Sequence, residues 1–559
     1  MERGRVCGGG SKEGLVAVDT AHLSQASADR RFSLTVFAFG AVLSVLYGLY
    51  LFQNVQLFAD YDQMVYLNNV KHALNDVTLY NPHHIHFEEL GREFHLFMTR
   101  NFGDAGFTDL SFNLRLRSAF TAVLGFFFAF LFSAYATRNV ILGAAGALAV
   151  GFSHGYIHYA TKVDTPIFPA AAFILILAAF VLVNQTRRFV IPAAVLLGVA
   201  FFIGVVMHQY IAIACVVTGL MMFVPDLDRI DLPFRPFARR ARVKFGGARR
   251  VGGTGPPRGR EQPRLYRRYG LRIAATLVAG AVGIAMIVGA YLWVGKGIYN
   301  LRWAGEEDTG QSVGLYRYGT FQQWLFSYAT TDSWGYGLEF FHPWRTARGF
   351  TDAFVTQYEP HLKYNQNREF EYDLDDPLKE GAVPYNLVGF FTIGSVALSI
   401  LLFPFLLKRY GRIFLLLLFM LIPYFLFFTY WEPFYFEFWL VPVINMALLG
   451  LIIVNYIGEA VARGFVRLTQ GGALTRSRPA RGDRPAGLGG FLGRLPAVLA
   501  FCVFVGVIAT HNISENVIPY SREEQREGTG SWTEERVREM YSEGVYRRPL
   551  STRWDFMDE

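Results

Sequence analysis

Apolar residues along this chain gather into blocks of about 18 to 25, the length a helix needs to cross a hydrocarbon core, and polar breaks separate them. The blocks predict spanning helices at about 33–57, 117–136, 140–157, 166–183, 189–206, 209–224, 273–294, 385–407, 413–430, 438–456 and 495–511. The stretch 189–224 is long enough for two crossings. Met207-His208-Gln209-Tyr210 is its only polar interruption, so the split falls there. The pattern therefore predicts an all-α polytopic membrane protein of about 11 transmembrane helices. The first block is too long for a cleavable signal and follows a tail of about 30 residues, so it reads as a first span.

Composition agrees with the pattern. The chain has 559 residues, 52% of them hydrophobic, and only 18% are charged, against about 25% in a soluble domain. Cys7, Cys215 and Cys502 make neither a disulfide framework nor a zinc spacing. The formal charge of +8 does not point to nucleic acid, because its distribution follows topology. With the N-terminus inside, the short inner loops hold Arg138, Arg187, Arg188, Lys408, Arg409 and Arg412, and the short outer loops hold only Lys162. The inner segments carry 32 of the 53 Lys and Arg but 10 of the 45 Asp and Glu, and this bias sets orientation.

The expected organisation is a cytoplasmic tail, 1–32, a transmembrane domain, 33–511, and an outer tail, 512–559. Large outer loops are expected at 58–116 and 295–384. Basic cytoplasmic loops, 225–272 and 457–494, are rich in Gly, Pro and Arg and read as flexible, lipid-facing linkers. The expected location is the plasma (inner) membrane, with the C-terminus outside.

Ionisable residues are nearly absent from the apolar blocks, His208 at a helix end excepted. Ion-coupled carriers keep acids and bases within their spans, so the polar outer rim draws attention instead. Asp60 and Asp62 stand where the first span leaves the membrane; a solvated loop or a helix N-cap would carry the same residues. Tyr66, Leu67, Val70, Leu74 and Val77 follow at helical spacing, which predicts a short amphipathic helix in the interface. Next come His83, His84, His86 and Glu88. His84 and His86 suit a divalent metal in company with Glu88 or an aspartate; they equally suit phosphate, a sugar hydroxyl or plain loop hydrogen bonds.

Arg115 and Arg117, at the outer start of the second span, read as snorkelling side chains or as a clamp for a lipid phosphate. Two residues apart on a helix, they face different directions, so at most one enters a shared site. The string from His154 to Pro166 is a polar rim on a short outer turn. There Lys162 and Asp164 pair with each other, touch substrate, or, for Asp164, cap the next helix. His208 and Gln209 are a further candidate pair on the rim. Trp431, Glu432, Glu437 and Trp439 join an aromatic interface belt to acids suited to a sugar.

Taken together, these residues resemble the GT-C superfamily of polyprenyl-phosphate-sugar-dependent glycosyltransferases, which includes the protein O-mannosyltransferases. Asp62-Gln63-Met64-Val65-Tyr66-Leu67 looks like the family's Asp-Glu followed by an aromatic, with Gln63 where many members carry Glu. Asn81-Pro82-His83-His84 and the Trp431 to Trp439 string look like pieces of bacterial members. The resemblance implies a hexosyl or pentosyl donor on polyprenyl phosphate and a glycan, lipid or protein acceptor. It implies Asp62 as general base, with Asp60 as second choice or as a group orienting acceptor or metal. Arg117 or Lys162 would stabilise the leaving phosphate, and the anomeric configuration would invert.

Three other readings compete, the blandest a degenerate scaffold that keeps the fold without catalysis. An O-antigen polymerase or ligase shares the span number and lipid-linked substrates but places essential Arg and His in a late outer loop, here Arg317, His342 and Arg345 in 295–384. A lipid or glycan transporter would move substrate unchanged.

Overall fold

The computed structural model describes residues 13–53, 66–67, 69–70, 84–185, 190–224, 262–301, 303, 320–325, 363–364, 370–371, 393–430 and 436–469, with single positions at 499, 503 and 506. Apart from a two-residue antiparallel pairing, Lys363–Tyr364 with Phe370–Glu371, regular structure among these residues is helical. The helices are α1 Glu13–Gln53, α2 Phe87–Phe102, α3 Leu110–Thr137, α4 Val140–Gly151, α5 His154–Ala160, α6 Ile167–Gln185, α7 Val190–Met207, α8 Ala212–Phe223 and α9 Gln262–Leu292. They continue as α10 Phe321–Leu325, α11 Ile393–Leu401, α12 Phe403–Tyr410, α13 Arg412–Tyr430 and α14 Phe436–Thr469.

Six of these helices are long and apolar enough to cross a membrane, or seven if the bent pair α11–α12 counts as one, and α4, 209–223 and α13 are shorter apolar helices. This is a multi-pass membrane protein. The expected eleventh span, 495–511, lies outside the described residues except at three positions. Helix α6 is the centre of the bundle: 89% of its spanning window is buried, against 28% for α1 and 22% for α9. α6 packs on α3 and α7, α7 packs on α9, and α1 packs on α3. Gly125 lets α3 approach closely, since a Cβ there would meet the Tyr156 hydroxyl and Ala171. That hydroxyl donates to Ala122 O at 2.9 Å.

Arginines hold one end of the bundle. Arg272 donates to Asn184 O at the end of α6 (3.0 Å), and Arg412 donates to Met222 O at the end of α8 (3.5 Å). Arg409 bridges Glu459 at 2.6 Å. Terminal carbonyls lack helical partners and carry the negative end of the dipole, so cations settle there. The opposite end carries the starts of α3 and α6 and the ends of α7 and α9.

Several expectations change. The split at His208 stands where expected: the residue is extended (φ −165°, ψ 128°) and α7 stops before it. The second span was expected to begin at 117, but its helix begins at Leu110, where the Asp109 carboxylate accepts the Phe112 N–H at 2.5 Å. Its 28 residues run about 42 Å, longer than a core of about 30 Å. Arg115 and Arg117 stand in its first two turns, ahead of the apolar run that begins at Ser118.

The expected straight span at 385–407 is bent by 88° between α11 and α12. Proline enters at the first turn of α12, where its ring cannot continue the preceding helix. Helix α9 begins at Gln262 and α14 runs to Thr469, so helix occupies the last part of 225–272 and the first part of 457–494, and the rest of both loops lies outside the described residues. The polar turn expected from His154 opens with a helix, and Tyr156, Ile157, Tyr159 and Ala160 are buried in it.

Candidate functional site

The chain enters α2 through His84, whose carbonyl accepts the Phe87 N–H at 3.0 Å. His84 Nδ1 lies 3.3 Å from Glu88 Oε2, and both side chains are buried. A spacing of four residues at a helix start puts the two on one face. His86 turns elsewhere, toward Glu89 (Nδ1 to Oε2, 2.7 Å), with its ring stacked on Trp293. The two histidines that sequence suggested as joint metal ligands therefore face different glutamates. Among the described residues, no three His, Cys, Asp or Glu side chains come together to hold a metal.

Arg117 is the central cation. Its Nη1 donates to Phe87 O at 2.5 Å, and its guanidinium lies 4.3 Å from the Phe87 ring and 4.7 Å from the Phe168 ring. Glu88 is its charged neighbour. Arg117 is 6% exposed, yet its Nε and Nη2 have no hydrogen-bond partner among the described residues. Those two N–H groups form the side-on edge that accepts a carboxylate or phosphate bidentately. Arg115 lies on another side of α3, its Nη2 donating to Ser111 Oγ at 2.6 Å and its charge beside Asp109; its Nε alone is left without a partner among the described residues, so it offers no two-pronged edge.

Gly91 makes room for this arrangement. A Cβ there would stand 2.7 Å from Arg117 Nη1 and 3.0 Å from Leu114 Cδ2. Gly91→Ala is expected to push the guanidinium off Phe87 O and cost about 1–3 kcal/mol, the usual cost of overpacking. A thermal melt in detergent measures it; an unchanged midpoint would show that the guanidinium has slack.

Aromatic rings close the site. Tyr66 meets His84 at 5.5 Å and Phe87 at 4.9 Å between centroids, both edge to face, and Phe87 meets Phe168 at 5.2 Å. Val70, Leu114 and Val163 form a small buried cluster beside them. Val70 is therefore buried; the rest of the expected interfacial helix, with Leu74 and Val77, lies outside the described residues. Asp164, one residue from Val163, is buried, and its Oδ1 accepts the Thr165 N–H at 2.6 Å. Lys162 is half-buried on the same turn.

His208 completes the cluster between α7 and α8. Tyr210 N–H donates to its Nδ1 over a long 3.5 Å, an acceptor role that fits a neutral ring. Burial first, and the neighbouring His84 second, hold its pKa well below the ordinary 6.5. The folded state therefore resists a proton that the unfolded chain takes up below about pH 6.5, and stability falls as pH drops through that point, by up to about 1.4 kcal/mol per unit. The melting temperature of the parent is expected to fall more steeply from pH 6.5 to 5.5 than that of His208→Gln; parallel curves would remove His208 as the cause. Gln209 Nε2 donates to Leu325 O at 3.0 Å and hydrogen-bonds Tyr291, which ties α10 and α9 to this end.

Of the residues suggested by sequence, the structure thus gathers His84, Glu88, Arg117 and His208, with Asp164 and Lys162 on an adjoining turn. Arg115 lies on another side of α3. Asp60, Asp62, His83, Trp431 and Glu432 lie outside the described residues, as does the Glu437 side chain. Trp439 is no interface ring: it is fully buried, with Phe425 and Phe428 at 5.1 and 5.0 Å. Sequence reasoning missed Phe168, Gly91 and Trp293. Only Gly91, a glycine inside an amphipathic pattern, carried a signal.

Among solved structures, the chain is similar to the Archaeoglobus fulgidus oligosaccharyltransferase in its complex with Zn and sulfate, at 14% identity and a TM-score of 0.40, over 85% of this chain and 53% of that one. It is also similar to ArnT from Cupriavidus metallidurans bound to undecaprenyl phosphate (14% identity, TM-score 0.39, 86% of this chain and 78% of that one). The apo form of ArnT gives 12% identity and a TM-score of 0.33, over 87% and 78%. The chain spans about half the length of the archaeal enzyme. No family model and no curated protein matches it.

Proposed function

We propose that the chain is an integral membrane glycosyltransferase that moves a hexosyl or pentosyl unit from a polyprenyl-phosphate donor to a glycan, lipid or protein acceptor at the outer face of the plasma membrane. The observation that carries this reading is the unused Nε–Nη2 edge of buried Arg117, just ahead of the apolar run of α3. A buried guanidinium with an unsatisfied fork is costly, and a phosphate oxygen pair satisfies it.

The chemistry then follows. An acceptor hydroxyl attacks the anomeric carbon, the bond from that carbon to the phosphate oxygen breaks, and its electron pair leaves with polyprenyl phosphate. Arg117 stabilises the charge that grows on the leaving phosphate. The acceptor proton goes to Asp62, and the displacement inverts the anomeric centre. Asp62 lies outside the described residues, but four residues of chain tether it to within about 14 Å of Tyr66, which packs on His84 and Phe87. Asp60 would orient the acceptor. His84 and Glu88, joined and buried, offer one donor–acceptor pair for a sugar hydroxyl. The basic end of the bundle faces the cytoplasm in this reading, as the Lys/Arg bias requires.

The test uses the full chain in lipid nanodiscs with polyprenyl-phosphate sugars and extracted envelope acceptors. Sugar-dependent release of free polyprenyl phosphate, with the sugar recovered on an acceptor, is the expected result. Recovery of the donor intact from every mixture would reject the reading, and intact donor moved across a vesicle bilayer would favour a transporter.

A further inference from the structure

Helix α2 has three faces, and the third is not used by the chemistry above. Phe87, Glu88, Gly91 and Met98 are buried and turn toward α3. Glu93 and Arg100 are exposed, with Arg92 donating to Glu93 at 2.7 Å. Between these faces runs an apolar stripe at i, i+4 and i+7, one side of a helix: Leu90 is 45% and Phe97 55% exposed, with Phe94 between them. Three large apolar side chains on a short charged helix are not what water selects, and scattered exposure does not explain a stripe.

The stripe is also continuous with a surface that already meets hydrocarbon. The Phe94 ring lies 6.1 Å from that of Phe120 on α3, and Phe120 and Leu124, one turn apart on a spanning helix, are 53% and 56% exposed. Along α3 the helix pair is pinned near its outer end: Asn113 Nδ2 lies 3.0 Å from His95 Nδ1 and donates to Phe107 O at 3.1 Å. That end of α3, with Asn113, Arg115 and Arg117, is the polar end that precedes its apolar run, which suits a partner helix at the depth of the headgroups.

We infer that α2 is a membrane-surface helix whose Leu90–Phe94–Phe97 stripe is immersed in the outer edge of the lipid acyl region, with Glu93 and Arg100 in water and the buried face on α3. The occupant of the stripe is bilayer lipid. The lipid-seated helix holds the His84–Glu88 pair and the Phe87 carbonyl, so the depth of the site relative to the bilayer is set by this stripe. The inference concerns a surface and stands apart from the transferase reading.

The test is site-directed spin labelling of the full chain in phospholipid nanodiscs, in a Cys7→Ser, Cys215→Ala, Cys502→Ser background. Leu90→Cys and Phe97→Cys are compared with Glu93→Cys and Arg100→Cys, each labelled singly. Labels at 90 and 97 are expected to relax with oxygen and lose relaxation by an aqueous nickel chelate, and labels at 93 and 100 to show the reverse. Should Leu90→Cys fail to fold, Phe97→Cys carries the comparison alone, because its ring lies against Phe102 near the helix end. Equal nickel accessibility at 97 and 93 would overturn the inference, as the stripe would be in water. Shielding of 97 from both reagents would overturn it too, as protein would cover the stripe.

Discussion

With Asp62 replaced by asparagine, release of polyprenyl phosphate from a sugar-loaded donor is expected to fall by about 10²–10⁴-fold, the contribution of a positioned general base. The amide keeps the shape of the carboxyl but accepts no proton at neutral pH. The acceptor hydroxyl must then lose its proton to water while it attacks. Donor binding is expected to stay near parental, since the base acts on the acceptor, so the loss should sit in kcat with KM little moved. Asp60→Asn is the paired control and is expected to cost about tenfold or less if that residue only orients the acceptor. Full turnover in Asp62→Asn, with the loss appearing in Asp60→Asn, would exchange the two roles.

The second large effect is expected at Arg117. Arg117→Lys keeps the charge but removes the planar edge of Nε and Nη2 that has no partner among the described residues. Hydrogen bonds to a charged partner are worth about 1.5–3 kcal/mol, so kcat/KM for the lipid-linked donor should drop by about 10- to 100-fold. Arg115→Lys is expected to change it little, because Arg115 Nη2 is engaged with Ser111. The contrast separates a phosphate clamp from the general electrostatics of two neighbouring cations. Equal losses at the two positions, or a loss at Arg117 that tracks a lowered melting temperature, would leave Arg117 a packing residue for α2.

Period and length made much of the bundle legible. The break at His208 could be read because one polar string interrupts an otherwise apolar run. The bend between α11 and α12 was also present in the chain, as Pro404, but an apolar window long enough for one span conceals it. Helix α2 was hidden for the opposite reason: Glu88, Glu89, Arg92, Glu93 and Arg100 make its window polar, and its apolar positions serve two surfaces at once. The start of α3 was missed because hydropathy marks the hydrocarbon boundary, while the hydrogen-bonded helix begins at its cap, Asp109.

Within the site, the pairing of His84 with Glu88 follows from a spacing of four. The choice between Arg115 and Arg117 does not follow from spacing. It depends on which side of α3 receives α2 and on the Phe168 ring arriving from α6, both tertiary facts. Trp439 misled because an aromatic near a span end looks the same in sequence whether it lies in the headgroups or inside the bundle.

Helix α6 has a consequence for how the bundle is assembled. Its residues Ala170, Ala171, Ala172, Ala178 and Ala179 are buried among Phe173, Ile174, Ile176 and Phe180, and nothing about their polarity distinguishes protein from lipid as a neighbour. In water such a helix would be driven inward; in a bilayer, acyl chains are as apolar as leucine and the drive vanishes. What keeps α6 at the centre is the closer fit that small residues allow. Enlarging one alanine to leucine should therefore loosen the assembled bundle without hindering the helix from entering the membrane, so the defect would be one of association and not of insertion.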